Sequence, residues 1–362
     1  MLNSQELRRY NRHLLIPEFG IAGQQRLKAA RVLVVGCGGL GSPVLLYLAA
    51  AGVGTLGFID NDRVDDSNLQ RQILYGTESV GLPKVQEAAQ RLRSLNPHIV
   101  VQPHEVQLTA ANALAIFADY DLIVDGSDNF PTRYLVNDAC VLLGKPFVYG
   151  AIYRFEGQVA IFNHQNGPNY RDLFASPPPP ELAPNCAEAG VLGVLPGIIG
   201  SIQANEAIKL LAQIGEPLTG RLFVMDALTL TTRIIRIPKL PERPQITELI
   251  DYEAFCAPKI PNLVEIDAEE WEELQQSKTD FQLIDVREVA EYALQNLGGT
   301  LMPLSQLETF VAQIDRHKTV VVHCQSGMRS QKAIRLLQEK YGFQNLVNLK
   351  GGLNAYSRAF GQ

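Results

Sequence analysis

The sequence predicts an α/β protein of two domains: a doubly wound, mostly parallel sheet, then a smaller α/β unit. Three observations carry this. From Arg31 onward, short β-rich apolar runs alternate with helical patterns, the signature of βαβ units. A stretch punctuated by Pro238, Pro241, Pro244, Pro258 and Pro261 interrupts the alternation. It then resumes at about Leu263, with no motif shared between the halves. A chain of 362 residues has room for two domains, or three. The expected divisions are a first domain over residues 1–237, an extended linker over 238–262 and a second domain over 263–362.

The elements follow in order. "RVLVV" reads as a strand, "SPVLLYLAAAG" as a helix and "TLGFID" as a strand. "KVQEAAQRLRSLN" (helix), "IVVQPHEV" (strand), "AANALAIFA" (helix) and "DLIVD" (strand) continue the pattern. "PTRYLVNDACVLLG" is the next helix and "PFVYGAI" the next strand. "EGQVAIFN" follows that strand so closely that antiparallel pairing is expected. The Pro-rich loop "ASPPPPELAP" leads to a long helix, "LPGIIGSIQANEAIKLLAQIG", and the strands "RLFVMDA" and "TTRIIRI". In the second domain the strands are "LVEI", "FQLIDV", "TVVVHC" and "NLVNLK", with a helix at "SQKAIRLLQEKY".

Bulk properties exclude several classes. Hydrophobic residues make up 46% and charged residues 19%, an ordinary globular composition. A net charge of −6 argues against nucleic acid, whose phosphates need a basic face. No uninterrupted apolar run is long enough for a membrane span, and the first residues lack the apolar core of a signal peptide. The five cysteines, Cys37, Cys140, Cys186, Cys256 and Cys324, are odd in number and scattered. That pattern predicts a reducing, cytoplasmic setting rather than a disulfide framework.

Gly36, Gly38 and Gly41 form GxGxxG between a strand and a helix, with Gly39 as an extra glycine. Glycine lets the backbone approach a phosphate, and the helix N-terminus supplies N–H donors. Asp60 ends the next strand, where a carboxylate can bind ribose hydroxyls. These features alone also fit an NAD-dependent oxidoreductase. The residues that follow favour a triphosphate with Mg²⁺: Asp62, Asn68 and Arg71 in "DNDRVDDSNLQRQ", Lys84 at a helix start, and Asp128 in "DGSDNFPTR". Two cations can neutralise a departing pyrophosphate, and a spare carboxylate can hold the metal.

The segment "RYNRHLLIPEFGIAGQQRLKAARVLVVGCGGLGSPVLLYLAAAGVGTLGFIDNDRVDDSNLQRQILY" resembles the MoeB/ThiF family of ubiquitin-activating-like adenylyltransferases. The likeness continues through "DGSDNFPTRYLVNDAC", "NCAEAGVLGVLPGIIGSIQANEAIKLL" and "GRLFVMDAL", from about Glu6 to Ile237. It implies a Rossmann-like, ubiquitin-activating-type adenylation domain. The implied activity is ATP-dependent adenylation of the C-terminal glycine of a small ubiquitin-like sulfur-carrier protein of the MoaD/ThiS kind. The resemblance also implies that Gly39, Asp60 and the run Ser67, Asn68, Leu69, Gln70 and Arg71 contact ATP. Lys84 and Arg71 would face the phosphates, and Asp128 with Asn129 would complete the site near Mg²⁺. Arg12 resembles an arginine that reaches ATP from a second subunit, which implies a homodimer. Cys186 matches a cysteine that attacks the activated carboxylate or forms a mixed disulfide. The family also carries a structural zinc on two CxxC pairs. Here those positions are empty of cysteine, with Asn169 and Asp172 at one pair and "PERPQITEL" near the other, so zinc is expected to be absent.

In "HCQSGMRS", Cys324 ends a strand and Ser330 starts a helix. The turn between them can converge backbone N–H groups on one atom, and Arg329 adds a positive charge, a setting for a thiolate or an anionic persulfide. The spacing is Cys-x₄-Arg, one residue shorter than the Cys-x₅-Arg loop with which phosphatases enclose a tetrahedral phosphate. With "LIDVREVAEY", which holds Asp285 and Arg287, and "NLKGGLNAY", it resembles a rhodanese from about Leu263 to Gln362. One segment departs, "NLGGTLMPL" standing where Gly-His-Ile-Pro-Gly is usual. The combined expectation is adenylation followed by sulfur transfer from a Cys324 persulfide, fed by a cysteine desulfurase or thiosulfate. A carrier thiocarboxylate results, as used in molybdopterin, thiamine, cysteine or tRNA thiolation. Adenylation alone, with the rhodanese domain unused for sulfur transfer, and a non-catalytic carrier-binding scaffold are the competing readings.

Overall fold

The computed structural model describes residues 1–178, 190–240, 245–256, 263–277 and 280–360. Cys186, most of the Pro-rich loop and the "PERP" stretch lie outside the described residues. The chain divides into two compact units, Met1–Ala257 and Pro258–Gln362.

The first unit is built on an eight-stranded sheet in the order β3-β2-β1-β4-β5-β6-β7-β8. Its strands are β1 Arg31–Val35, β2 Thr55–Ile59, β3 Val100–His104, β4 Leu122–Asp125, β5 Phe147–Tyr153, β6 Glu156–Phe162, β7 Arg221–Asp226 and β8 Thr231–Arg236. Pairing is parallel from β3 to β5 and antiparallel from β5 to β8. The close sequence spacing of β5 and β6 permits only the antiparallel hairpin, since a parallel return needs a crossover.

Side chains alternate across β1 as strand geometry requires. Val32 and Val34 enter one buried cluster with the helices Gly41–Ala51 and Leu195–Ala212. Leu33 and Val35 enter the other, beneath the helix Phe130–Leu142. A sheet buried on both faces explains why these strands read as continuous apolar runs. The chain crosses from one side of β1 to the other between β3 and β4, so the crevice of this sheet opens past the ends of β1 and β4.

Tyr252–Cys256, inside the stretch expected to be linker, is instead a helix of the first unit. Tyr252 is 5% exposed, and Phe255 packs on the same cluster as Tyr134 and Tyr170. Prolines signalled an extended path, but aromatic surface in the middle of it gains more by burial than by solvation. The first unit therefore reaches beyond Ile237.

The second unit is a parallel sheet in the order β11-β10-β12-β13-β9. Its strands are β9 Val264–Ile266, β10 Phe281–Asp285, β11 Thr300–Leu301, β12 Thr319–His323 and β13 Leu346–Leu349. β12 is central, and Val320 and Val322 point into one cluster while Val321 points into the other. Strand β11 falls within "NLGGTLMPL", where the sequence departed from the rhodanese pattern.

Candidate functional site

In the first unit, a cavity of about 550 Å³ opens at the β1–β4 crevice. Gly36 follows β1 directly, with φ of +89°, a conformation that only glycine takes without strain. A Cβ at Gly41 would sit 2.0 Å from the Gly36 carbonyl oxygen. The loop and helix start are thus packed as tightly as backbone allows; in the first turn Ser42 N–H donates to the Gly38 carbonyl at 2.9 Å, Val44 N–H to the Leu40 carbonyl at 3.4 Å, and Pro43 has no N–H.

Gly36, Gly38, Gly39, Asp60, Asp62, Arg71, Lys84, Asp128 and Asn129 all line this cavity. Asp60 accepts the Cys37 N–H at 2.8 Å and the Asp62 N–H at 2.9 Å. Burial pushes its carboxyl up from the ordinary value, opposed by the nearby Lys84 charge and these two hydrogen bonds. Lys84 heads the helix Lys84–Leu95. Its side chain is 7% exposed, and its ammonium pairs with Asp62 at 2.9 Å. Arg71 donates to the Ser67 carbonyl at 3.1 Å. Asn129 caps the helix Phe130–Leu142, its Oδ1 accepting the Thr132 N–H at 2.9 Å. Asp128 is exposed in the cavity wall, and no donor among the described residues binds its carboxylate.

Arg12, Gly41, Ser67, Asn68, Leu69 and Gln70 are not in that wall. Arg12 lies exposed on the short helix Asn11–Leu14. Asn68 is spent locally, accepting the Asp65 N–H at 3.3 Å in a capping turn.

The cavity also holds residues that sequence reasoning missed: Gln72, Thr132, Arg133 and the segment Ile250–Glu253. Arg133 is 9% exposed, its guanidinium 5.5 Å from the Phe130 ring and 5.7 Å from the Tyr149 ring. Among the described residues, its Nε has no hydrogen-bond partner. Asp125 lies behind it, fully buried, its carboxyl pushed up by desolvation against the Arg133 charge. A cation inside the apolar face of "PTRYLV" was the available signal.

In the second unit, Cys324 follows β12 and is buried. Gly327, with φ of +86°, caps the helix Met328–Tyr341, whose first turn is open toward this loop. The Ser330 hydroxyl lies 3.6 Å from the Cys324 Sγ and 2.6 Å from Asn348 Oδ1. Asn348 in turn donates to Glu265 at 2.6 Å. Arg287, 1% exposed, forks onto Asp285, with contacts down to 2.7 Å, and donates to Gln325 of the loop at 2.9 Å. Asp285 and Arg287 therefore brace the sulfur loop from below. Burial pushes His323 down from the ordinary imidazole value, against the neighbouring Asp285 carboxylate, which disfavours a charged imidazolium behind the loop.

The charge on Arg329 departs from expectation. Its guanidinium forks onto Glu291 at 2.7 and 2.6 Å. Hydrogen bonding from Arg329 holds the Glu291 carboxyl down at about 2, so the pair stays ionised. The positive field that Arg329 was expected to lend the sulfur is largely compensated. Neither carboxylate nor arginine alone in sequence announces this partnership, which spans 38 positions.

Residues 10–245 match the ThiF family, and residues 267–359 match the rhodanese-like domain. The chain is 47% identical to the probable adenylyltransferase/sulfurtransferase MoeZ of Mycobacterium tuberculosis, over 99% of this chain and 94% of that one. It is 56% identical to a sulfur carrier protein adenylyltransferase of Thermus thermophilus, over 70% of this chain and 97% of that one. It is 40% identical to the adenylyltransferase and sulfurtransferase MOCS3 of Arabidopsis thaliana, over 98% and 84%. Among solved structures, Escherichia coli MccB with MccA-N7isoAsn aligns with a TM-score of 0.58 at 21% identity, covering 66% of this chain and 74% of that one. That likeness concerns the fold alone.

Proposed function

The chain belongs to the ThiF family and carries a rhodanese-like domain, and from that premise we propose how its two sites divide one reaction. It is an adenylyltransferase and sulfurtransferase acting on a sulfur-carrier protein. The observation that carries the division of labour is the gathering of Asp60, Arg71, Lys84 and Asp128 around one glycine-lined cavity. The reactive sulfur sits in a separate unit.

ATP enters the cavity with its ribose on Asp60 and its phosphates on the Gly36–Gly39 backbone. A carboxylate oxygen of the carrier's C-terminal glycine attacks the α-phosphorus, and pyrophosphate leaves. Lys84 and Arg71 take up the charge on the leaving group. Mg²⁺ commonly binds through one or two carboxylates plus substrate phosphates. The unengaged carboxylate of Asp128 fits that need, and the ion would offset phosphate charge there. Arg133 extends the cationic wall. In the second unit, Cys324 carries a persulfide loaded by a cysteine desulfurase or by thiosulfate. Its terminal sulfur attacks the acyl carbon and AMP leaves, giving an acyl disulfide. A second thiol then attacks the Cys324 sulfur, which frees the carrier thiocarboxylate and leaves a disulfide between that thiol and Cys324; an external dithiol reductant reopens it for the next turnover. Cys186 is our candidate for that thiol. The test is to incubate carrier, ATP, Mg²⁺ and a persulfide donor and weigh the carrier. Sulfur in place of one carboxylate oxygen supports the scheme, and an unchanged carrier overturns it.

The working unit we propose is a homodimer. Arg12 is exposed and outside its own chain's cavity wall, which suits an arginine delivered to a second copy. Mixing an Arg12→Ala chain with a Lys84→Ala chain then restores one intact site per heterodimer. Activity should recover to about a quarter of the parent level, counting random pairing and the loss expected of each single removal. No recovery, with heterodimers verified by native mass spectrometry, overturns the shared site.

A further inference from the structure

The donor set at the family's zinc position does not fit zinc. Asn169 and Asp172 are already engaged as a reciprocal cap of the helix Tyr170–Leu173. Asn169 Oδ1 accepts the Arg171 N–H at 2.8 Å, and Asp172 Oδ2 accepts the Asn169 N–H at 2.8 Å. Asp172 Oδ1 takes the Leu240 N–H at 2.9 Å. Among the described residues no cluster of three His, Cys, Asp or Glu could hold a metal. Structural zinc asks for four ligands, chiefly thiolate and imidazole.

A metal-free junction occupies the same neighbourhood. Arg171 forks onto Asp138 at 2.8 and 2.7 Å, with the two residues 9% and 2% exposed. The Tyr252 hydroxyl donates to the same carboxylate at 2.8 Å, and Asn137 Nδ2 donates to it at 2.9 Å. The guanidinium lies 4.9 Å from the Tyr134 ring and 4.8 Å from the Phe255 ring. Those rings meet edge-on at 5.1 Å. Each charge is thus paired, and the carboxylate is hydrogen-bonded on both oxygens, the condition under which a buried ion pair is tolerated. Burial beside Asp138 pushes the Tyr252 hydroxyl far up, so it remains a donor.

Three segments converge on this carboxylate. The helix Phe130–Leu142 carries Asp138, and its first turn supplies Pro131, Thr132 and Arg133 to the nucleotide cavity. The helix Tyr170–Leu173 leads toward the Pro-rich loop. The helix Tyr252–Cys256 belongs to the segment whose Ile250, Asp251, Tyr252 and Glu253 form part of the cavity wall. We propose that the Asp138–Arg171–Tyr252 junction replaces the zinc staple and positions the 250–253 strap as a wall of the ATP site, with Tyr252 as a positioning residue for adenylation. This rests on the reading of that cavity as the ATP site.

The test uses the full-length chain. Tyr252→Phe keeps the ring and removes one hydrogen bond to a charged group. KM for ATP in carrier-dependent pyrophosphate exchange should rise about tenfold, with kcat within about twofold of the parent. Arg171→Lys keeps the charge but loses the fork and should move KM the same way. Thiosulfate sulfurtransferase activity of the second unit should stay at the parent level in both variants. Elemental analysis should find no stoichiometric zinc, and a chelator should leave the melting temperature unmoved. An unchanged KM in both variants overturns the positioning role, as does a loss of kcat and melting temperature together without a KM effect. One tightly bound zinc per chain, with melting lowered by chelation, overturns the replacement. Absence of exchange in the unsubstituted chain is a different outcome and removes the ATP reading itself.

Discussion

Asp128→Ala should abolish carrier-dependent pyrophosphate exchange while leaving a folded protein. Asp128 stands exposed in the cavity wall after β4, and no described donor binds its carboxylate. Its removal therefore breaks no buried contact, and exposed substitutions of this kind stay within about 0.5 kcal/mol of parent stability. The catalytic cost is different in kind. Phosphate oxygens bring several negative charges into a cavity that already contains Asp60 and Asp62. Lys84 is partly neutralised by its contact with Asp62 at 2.9 Å. If Asp128 holds the metal as proposed, its loss leaves the charge that develops on pyrophosphate to Arg71, Arg133 and a partly paired Lys84. Loss of one such stabilising element costs on the order of a hundredfold to a thousandfold in rate. The measurement is isotope exchange from labelled pyrophosphate into ATP, with circular dichroism melting as the control. Exchange at the parent rate in a folded Asp128→Ala protein would refute the assignment.

Cys324→Ala should separate the two halves of the reaction. The thiol is fully buried, so the substitution leaves a cavity about one sulfur atom in size, near the mild end of large-to-small changes. Ser330 loses its 3.6 Å contact with sulfur but keeps its 2.6 Å hydrogen bond to Asn348, so the loop retains its brace. The cavity proposed to bind ATP is lined by residues of the other unit and loses none of them. Pyrophosphate exchange should continue, and the carrier should accumulate as acyl-adenylate or hydrolyse back. Thiocarboxylate formation from a protein persulfide donor should fall by on the order of a thousandfold or more, as removal of a covalent nucleophile does. Sulfide must be omitted, because it can attack the adenylate directly. Arg329→Ala should cost only about threefold to tenfold, since Glu291 already compensates its charge and the helix N–H groups remain. Parent-rate thiocarboxylate formation by Cys324→Ala would remove the loop from the sulfur path and make Cys186 the leading candidate.

By itself, the sequence determined the features encoded over a few consecutive residues. Apolar alternation set the strands, because a strand's two faces are read at every second position. The loop Gly36–Gly41 was legible because tight backbone approach excludes a side chain at Gly36 and Gly41, and the strand-to-helix turn after His323 because a glycine there follows an apolar run and opens a helix. That Asp60 and Asp128 line one cavity was legible because the ends of neighbouring parallel strands converge at one crevice, and Lys84 because it opens the helix that follows β2. Only the tertiary structure decided who pairs with whom. Tyr252 reaches Asp138 across 114 positions, and Arg329 reaches Glu291 across 38. No local spacing carries that information. Such partners are chosen when folding buries charge and aromatic surface together, since an unpaired buried charge is too costly to persist. The same reason moved the supposed linker helix Tyr252–Cys256 into the first unit, placed Arg133 in the cavity wall and took most of the free charge from Arg329.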